Sequence, residues 1–329
     1  MSICSFNYEN RKVSTTMNRE SDRALRAMHE FLAEHATEDM SIEEVNTLLR
    51  DHMSEINSSI PRHMVEKDAK SAEDFIDLAE EAVQNGNDAE ALRLVRKALK
   101  LNPNDLDAIL MEIQLGESNP MNVIKRLRVA VDQGRRQLEK NGYFDEESVG
   151  EFWGILETRP FMRLREEYIS KLKEYGMLRL AAAECEDMIR LNTNNNQGIR
   201  YILMHIYAAL EEADSAERLL EKYSDHHEGQ MLFPITLLYY KLGNTDKAEN
   251  YLRLLTKTIR ETKQFIRDMM DVGVNKYMDS RICEIMRRGG YSPLSEEELI
   301  MALYENSDIY NSAPAFFPWV ADVLRIKRF

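Results

Sequence analysis

The sequence predicts an all-α fold, an α-solenoid of helical hairpins closed by helical caps at both ends. Three observations carry that reading. Apolar residues recur at helical spacing with no strand-type alternation, and only 13 glycines and 8 prolines interrupt 329 residues. A small residue returns in one frame: Ala181, Ala216 and Ala248 stand 35 and 32 residues apart, the period of a two-helix repeat. Gly86, Gly176 and Gly243 mark inter-helix turns in that frame. The length exceeds that of a usual single domain, but a solenoid grows by adding repeats and needs no single large core.

Residues 1–15 read as a disordered tail, followed by an N-terminal helical hairpin over 16–60. Its first helix, from about Thr16 to Ala36, carries Leu25, Met28, Phe31 and Leu32 on one face. Ser41-Ile-Glu-Glu44 is a capping box that opens the second, with Val45, Leu48, Leu49, Met53 and Ile56 inward. A DNA-reading helix-turn-helix would turn Glu43, Glu44, Asp51 and Glu55 toward phosphates. A terminal cap suits those acids better.

The repeats span 61–260. Repeat one, about 71–104, places Phe75, Leu78, Ala79, Ala82, Ala91, Val95 and Ala98 at packing positions. The unit at 106–140 is irregular, and DEESVGEFWGILE is expected to form an amphipathic helix presenting Phe152, Trp153, Ile155 and Leu156. Thr158-Arg159-Pro160 is a helix start, a hydroxyl cap followed by a proline in the first turn. Leu164, Tyr168, Ile169 and Leu172 then form a stripe that ends at Gly176. The return helix carries Ala181, Ala182, Cys185, Met188, Ile189 and Leu191 before LNTNNNQG breaks it. Two further hairpins pack Leu203, Tyr207, Ala216, Leu220 and Tyr223, then Leu232, Ile235, Tyr239, Ala248, Leu252 and Leu255. Residues 261–329 form the C-terminal cap. Ser295-Glu-Glu-Glu298 reads as a second capping box, and a last helix with Phe316, Phe317, Trp319, Val320 and Leu324 is expected to cover the final open face.

This is the tetratricopeptide (TPR) pattern of about 34 residues. The blocks FWGILETRPFMRL (Phe152 to Leu164) and LNTNNNQGIRYIL (Leu191 to Leu203) resemble those of a bacterial TPR subfamily that carries FWGxLETRPYMRA and LNPNDNQGxRYxL. Phe161, Thr193 and Asn194–Asn195 depart from that pattern. The suppressor-of-tumorigenicity-seven family is distantly similar in its helical repeats. The resemblance implies a TPR scaffold and no established reaction.

Acids number 57 against 43 bases, a net charge of −14, which disfavours nucleic acid and anionic membrane as partners. No apolar run approaches the roughly 20 residues of a membrane span, and MSICSFNYENRKVS lacks the apolar core of a secretory signal. Cys4, Cys185 and Cys283 lie far apart with no CxxC pair, which fits a reduced, cytoplasmic chain. The residues give no catalytic, cofactor or metal site. His226-His227-Glu228 is the one dense group of metal-ligand types, but adjacent histidines diverge on a helix and no third ligand block accompanies them. A solvated loop accounts for them.

The binding reading is stronger. In stacked TPR hairpins, positions two, five, nine and twelve of each first helix point into the concave groove. Here they are Glu73, Ile76, Glu80 and Val83; Arg163, Glu166, Ser170 and Lys173; Gly198, Tyr201, His205 and Ala208; and Gln230, Phe233, Leu237 and Tyr240. Tyr201, His205, Phe233, Leu237 and Tyr240 are therefore expected to form one patch for a partner protein or peptide, unless the C-terminal aromatic helices fill it. Arg159, Arg163 and Arg200, with Asn196 and Gln197, could converge on a carboxylate or phosphate. The competing reading is an internal ion pair with Glu157 or Glu166, plus amide caps for the inter-repeat turn. The sequence thus favours a non-enzymatic adaptor, ahead of a peptide-sensing regulator and of an enzyme with an unrecognised site.

Overall fold

The computed structural model describes residues 6–37, 39–59, 65–224 and 228–326. Among them it is helical apart from turns and two isolated bridges, Gly150 and Glu151 to Asn192. The chain divides into two compact units. The first is Met1–Ser148 with Phe152–Tyr168, and the second is Val149–Glu151 with Ile169–Phe329.

In the first unit, α1 (Phe6–His35), α2 (Ile42–Asp51) and α3 (Met53–Ser59) precede α4 (Ala72–Gln84), α5 (Asp88–Leu101), α6 (Leu106–Gly116) and α7 (Pro120–Lys140). The expected tail over 1–15 differs. Residues 1–5 lie outside the described residues, while α1 already begins at Phe6 because Phe6–His35 contains no proline or glycine to stop it. The Ser41–Glu44 capping box forms, and Ser71 with Asp74 makes another at the head of α4. Met53, expected inward, is exposed, while Val45, Leu48 and Leu49 are half-buried. Ile76, Ala79, Ala91, Leu94, Val95 and Ala98 form the α4–α5 core. Gly134 on α7 lets that helix approach closely, because a Cβ there would lie 2.8 Å from Phe161 and 2.9 Å from Leu106.

The helix expected over DEESVGEFWGILE is absent. Residues 141–155 are turns, followed by a short 3-10 turn at Leu156–Thr158. Gly142 and Gly150 adopt φ of 86° and 112°, outside the helical region. Thr158 also departs from its expected capping role. Its hydroxyl donates to the carbonyls of Phe152 and Ile155, pinning the turn from which α8 (Arg159–Glu174) starts. α8 gives Arg159–Tyr168 to the first unit and its remainder to the second.

The second unit continues with α9 (Leu178–Leu191), α10 (Ile199–Leu210), α11 (Ala213–Lys222), α12 (Gly229–Lys241) and α13 (Thr245–Thr258). Then come α14 (Thr262–Val272), α15 (Val274–Arg288), α16 (Glu296–Glu305), α17 (Ser307–Asn311) and α18 (Phe316–Val323). One turn geometry recurs through the chain. Gly86, Gly176 and Gly243 all take φ of 73°, and the next residue's N–H bonds back five residues: Asn87 to Ala82, Met177 to Leu172, Asn244 to Tyr239. The α10–α11 turn closes the same way, from Glu212 to Tyr207 at 3.0 Å, but its left-handed residue is Glu211, φ 61°. The frame alanines Ala91, Ala181, Ala216 and Ala248 are all fully buried.

The Ser295 capping box does not form as expected. The Ser295 hydroxyl donates to the Ser292 carbonyl. Glu298 turns inward instead, accepting the N–H of Gln230 at 2.9 Å and of Leu294 at 2.7 Å. A carboxylate from α16 thereby caps the first turn of α12, where free N–H groups favour an anion. Gly229 makes room for it, since a Cβ there would meet Ile259 at 2.7 Å and Glu298 at 3.2 Å.

Candidate partner-binding grooves

In the first unit α4, α6 and the start of α8 present Glu73, Asp77, Glu80, Asp107, Arg159 and Arg163 to α1. In this structure α1 lies over them. Arg19 reaches Asp77 at 2.8 Å and Asp107 at 3.2 Å. Its Nε stands 3.0 Å from Glu80 Oε1, an ion pair without the alignment of a hydrogen bond. Arg23 pairs with Asp77 at 3.2 Å and Arg26 with Glu73. Asp22 accepts from Arg159 at 2.6 Å and from Arg163 at 2.5 Å. Arg163 also grips Asp107 with two nitrogens, at 2.9 and 2.7 Å, the fork geometry that suits guanidinium to carboxylate. Arg159 donates to the Trp153 carbonyl and stacks on its ring, 5.1 Å to the centroid.

The sequence reading offered Glu157 or Glu166 as internal partners of these arginines. Among the described residues, Asp22 is shared by Arg159 and Arg163, and Asp107 is a second carboxylate partner of Arg163. Burial pushes the Asp107 carboxyl up, but Arg163 and Arg19 more than offset it and hold it below the usual range. Glu80 goes the other way: burial dominates over Arg19, and its pKa is pushed up to about 7. A cavity of 150 Å³ persists beside Arg19, Arg26, Asp105 and Asp107.

The second unit fills its aromatic face differently. Tyr310 of α17 stacks on Phe233 at 5.1 Å and stands edge-on to His205 at 6.1 Å. Phe316 and Trp319 of α18 lie 5.4 and 5.2 Å from Tyr240, and Leu237 is fully buried in the same cluster. Of the two readings the sequence left open, the contacts match the second: the chain's own C-terminal helices lie against His205, Phe233 and Tyr240, and Leu237 is buried in the same cluster. The physical reason is their aromatic surface, which gains most from leaving water. Lys173 joins the closure by donating to the Glu305 carbonyl at 2.9 Å.

Tyr201 belongs to a polar group. Its hydroxyl donates to Glu228 at 2.5 Å, Arg200 pairs with the same carboxylate at 2.9 Å, and the Arg200 guanidinium lies 4.3 Å from the Tyr201 ring centre. Arg200 is thus placed in the second unit with Glu228 as its partner, while Arg159 and Arg163 belong to the first. Asn195 accepts the Arg200 N–H at 3.1 Å, so the inter-repeat turn is capped by an amide as its composition suggests.

What sequence reading missed is α1. Arg19, Asp22, Arg23 and Arg26 fall at i, i+3, i+4 and i+7 on one helical face. That charged stripe was legible, but the apolar stripe of Leu25, Met28, Phe31 and Leu32 reads as the buried face by default. His226 and His227 lie outside the described residues, and among those described no group of metal-ligand side chains gathers. No described helix is long and apolar enough to cross a membrane.

No family model matches the chain, and no curated protein matches it. A solved structure entitled "Crystal structure of MamA protein" is similar, with a TM-score of 0.41 and 17% identity over 59% of this chain and 94% of that one.

Proposed function

We propose that the chain is a non-enzymatic protein-interaction scaffold of TPR type that receives a helical segment of a partner in the groove of its first unit. The observation that carries this reading is α1 itself, a helix held across α4, α6 and α8 by buried charged side chains. Magnitudes favour the first unit over the second. Lifting α16–α18 would expose Tyr310, Phe316, Phe317 and Val320, at about 1.5–3 kcal/mol for each buried side chain. Lifting α1 breaks ion pairs whose gain roughly cancels the cost of drying them.

In this reading Arg159 and Arg163 are partner-binding residues, whereas Tyr201, His205, Phe233, Leu237, Tyr240 and Arg200 serve the unit's own closure. Membership of the bacterial TPR subfamily, a distant kinship with the suppressor-of-tumorigenicity-seven family and a cytoplasmic location belong to the same proposal. The widely spaced Cys4, Cys185 and Cys283 support the last of these.

The test is capture from native lysate by the full chain, wild type beside Asp22→Asn. The variant is expected to retain a protein or peptide more strongly than wild type. Retention of a metabolite or cofactor alone, or of nothing by either chain, overturns the scaffold reading.

A further inference from the structure

Among the described side chains of α1, the charged Arg19 and Asp22 are buried along with Phe31, while Leu25, Met28 and Leu32 are only half-buried. The groove beneath has a matching order. Acids from α4 face Arg19, Arg23 and Arg26, and the two arginines of α8 converge on Asp22. We propose that this groove is a receptor for a partner helix with the charge order of α1, a base at i, an acid at i+3 and bases at i+4 and i+7, and that α1 is the occupant it displaces. The proposal rests on the scaffold reading above and names the partner's chemistry.

Three features support exchange. Buried ion pairs specify register and partner more than they add stability, so replacing α1 by a helix of the same order costs little. The close backbone packing of α1 is onto α2 and α3, which gives the released helix a surface to remain folded against. The 150 Å³ cavity beside Arg19 and Asp107 leaves room for a helix that packs better than α1 does. Asp22 is the discriminating position, because a helix without an acid there leaves Arg159 without its carboxylate partner.

The probe is a fluorescein-labelled peptide with the sequence of residues 17–35, titrated by anisotropy into the full chain carrying Asp22→Asn. That change weakens α1's own hold on Arg159 and Arg163. The peptide should bind the variant roughly tenfold tighter than wild type, and a peptide bearing the same Asp→Asn change should lose roughly that factor. Arg26→Ala, at the half-buried rim, is the second variant if circular dichroism shows the first unfolded. Equal affinity of the two peptides for the opened chain overturns the charge order, as does absence of binding. A variant that becomes a dimer and leaves no peptide site assigns the groove to a second copy and overturns the separate partner. If the peptide fails while the variant still captures a protein from lysate, only the charge order falls; if both fail, the scaffold reading falls with it.

Discussion

The Tyr310 hydroxyl lies 3.4 Å from Nε2 of His205, a fully buried imidazole whose tautomer is set from its other nitrogen. Nδ1–H donates to the Tyr201 carbonyl at 2.8 Å, leaving Nε2 as the acceptor. Burial, with Lys173 adding to it, pushes the His205 pKa down to about 3. The unfolded chain takes up a proton near the ordinary value of about 6.5, whereas the folded second unit does not. Its stability is therefore complete above pH 6.5 and falls on acidification toward pH 3, by up to about 1.4 kcal/mol per pH unit. Denaturant melts of wild type and His205→Gln at pH 7 and pH 5, followed by Trp319 fluorescence, measure this. A parallel acid response in both chains would remove His205 as its source.

The first unit should show the opposite slope from Glu80. Its folded pKa of about 7 lies above the ordinary carboxylate value, so between the two the folded state holds a proton that the unfolded state has lost. Stability from this group is fully present below about pH 4.3 and declines as pH rises to 7, again by at most about 1.4 kcal/mol per unit. Hydrogen exchange of α4 at pH 5 and pH 7.5 is the readout, and Glu80→Gln should flatten the difference. An α4 that opens more readily at pH 5 in wild type contradicts it.

Glu211 occupies the left-handed turn position that glycine holds in three other hairpins. A side chain there costs roughly 1–2 kcal/mol, partly balanced by the flexibility glycine adds to the unfolded chain. Glu211→Gly should stabilise the second unit by about 0.5–1 kcal/mol, even with loss of the ion pair between the exposed Glu211 and the half-buried Lys241 at 3.2 Å. A lowered melting temperature would show that the pair outweighs the backbone term.

Ala181 is fully buried at the hairpin crossing. Ala181→Leu should overpack it and cost on the order of 1–3 kcal/mol. A leucine chain that melts with wild type would mean that α9 has space the register denies it.

Replacing Tyr201 and Tyr240 with alanine removes the Glu228 hydrogen bond and the ring contacts with Phe316 and Trp319. The expected loss is about 2–4 kcal/mol, with faster proteolytic cleavage beyond Gly289. Unchanged digestion of that segment would argue against α16–α18 being held by these two residues.

Repeat register was legible because it rests on local rules: a left-handed turn, a small residue at the crossing, an apolar stripe. Gly86, Gly176 and Gly243 with Ala91, Ala181 and Ala248 needed nothing beyond that. The Asp145–Glu157 stretch was misread because its apolar spacing fits a helix, while Gly150 instead bonds along Leu191 and Thr193, contacts no local pattern encodes. Glu298 was assigned to its own helix start because sequence offers Ser295 as the nearest donor. Besides the nearby Leu294 N–H, it caps the Gln230 N–H of α12, 68 positions away in the chain. The pairing of Asp22 with Arg163 spans 141 positions and is likewise a tertiary fact, since composition shows that charges exist but not which of them meet.

The covering of α12 by α16, and of α14 by α18, has a consequence for association. A stack of hairpins ends in a surface shaped to accept one more hairpin, and a head-to-tail contact that does not close generates open fibres. Phe316 and Phe317 already lie against Phe233, so a neighbouring copy that stacked on this aromatic face would first have to lift α18 from it. The contacts that close the face to a ligand are the same ones a head-to-tail neighbour would have to break.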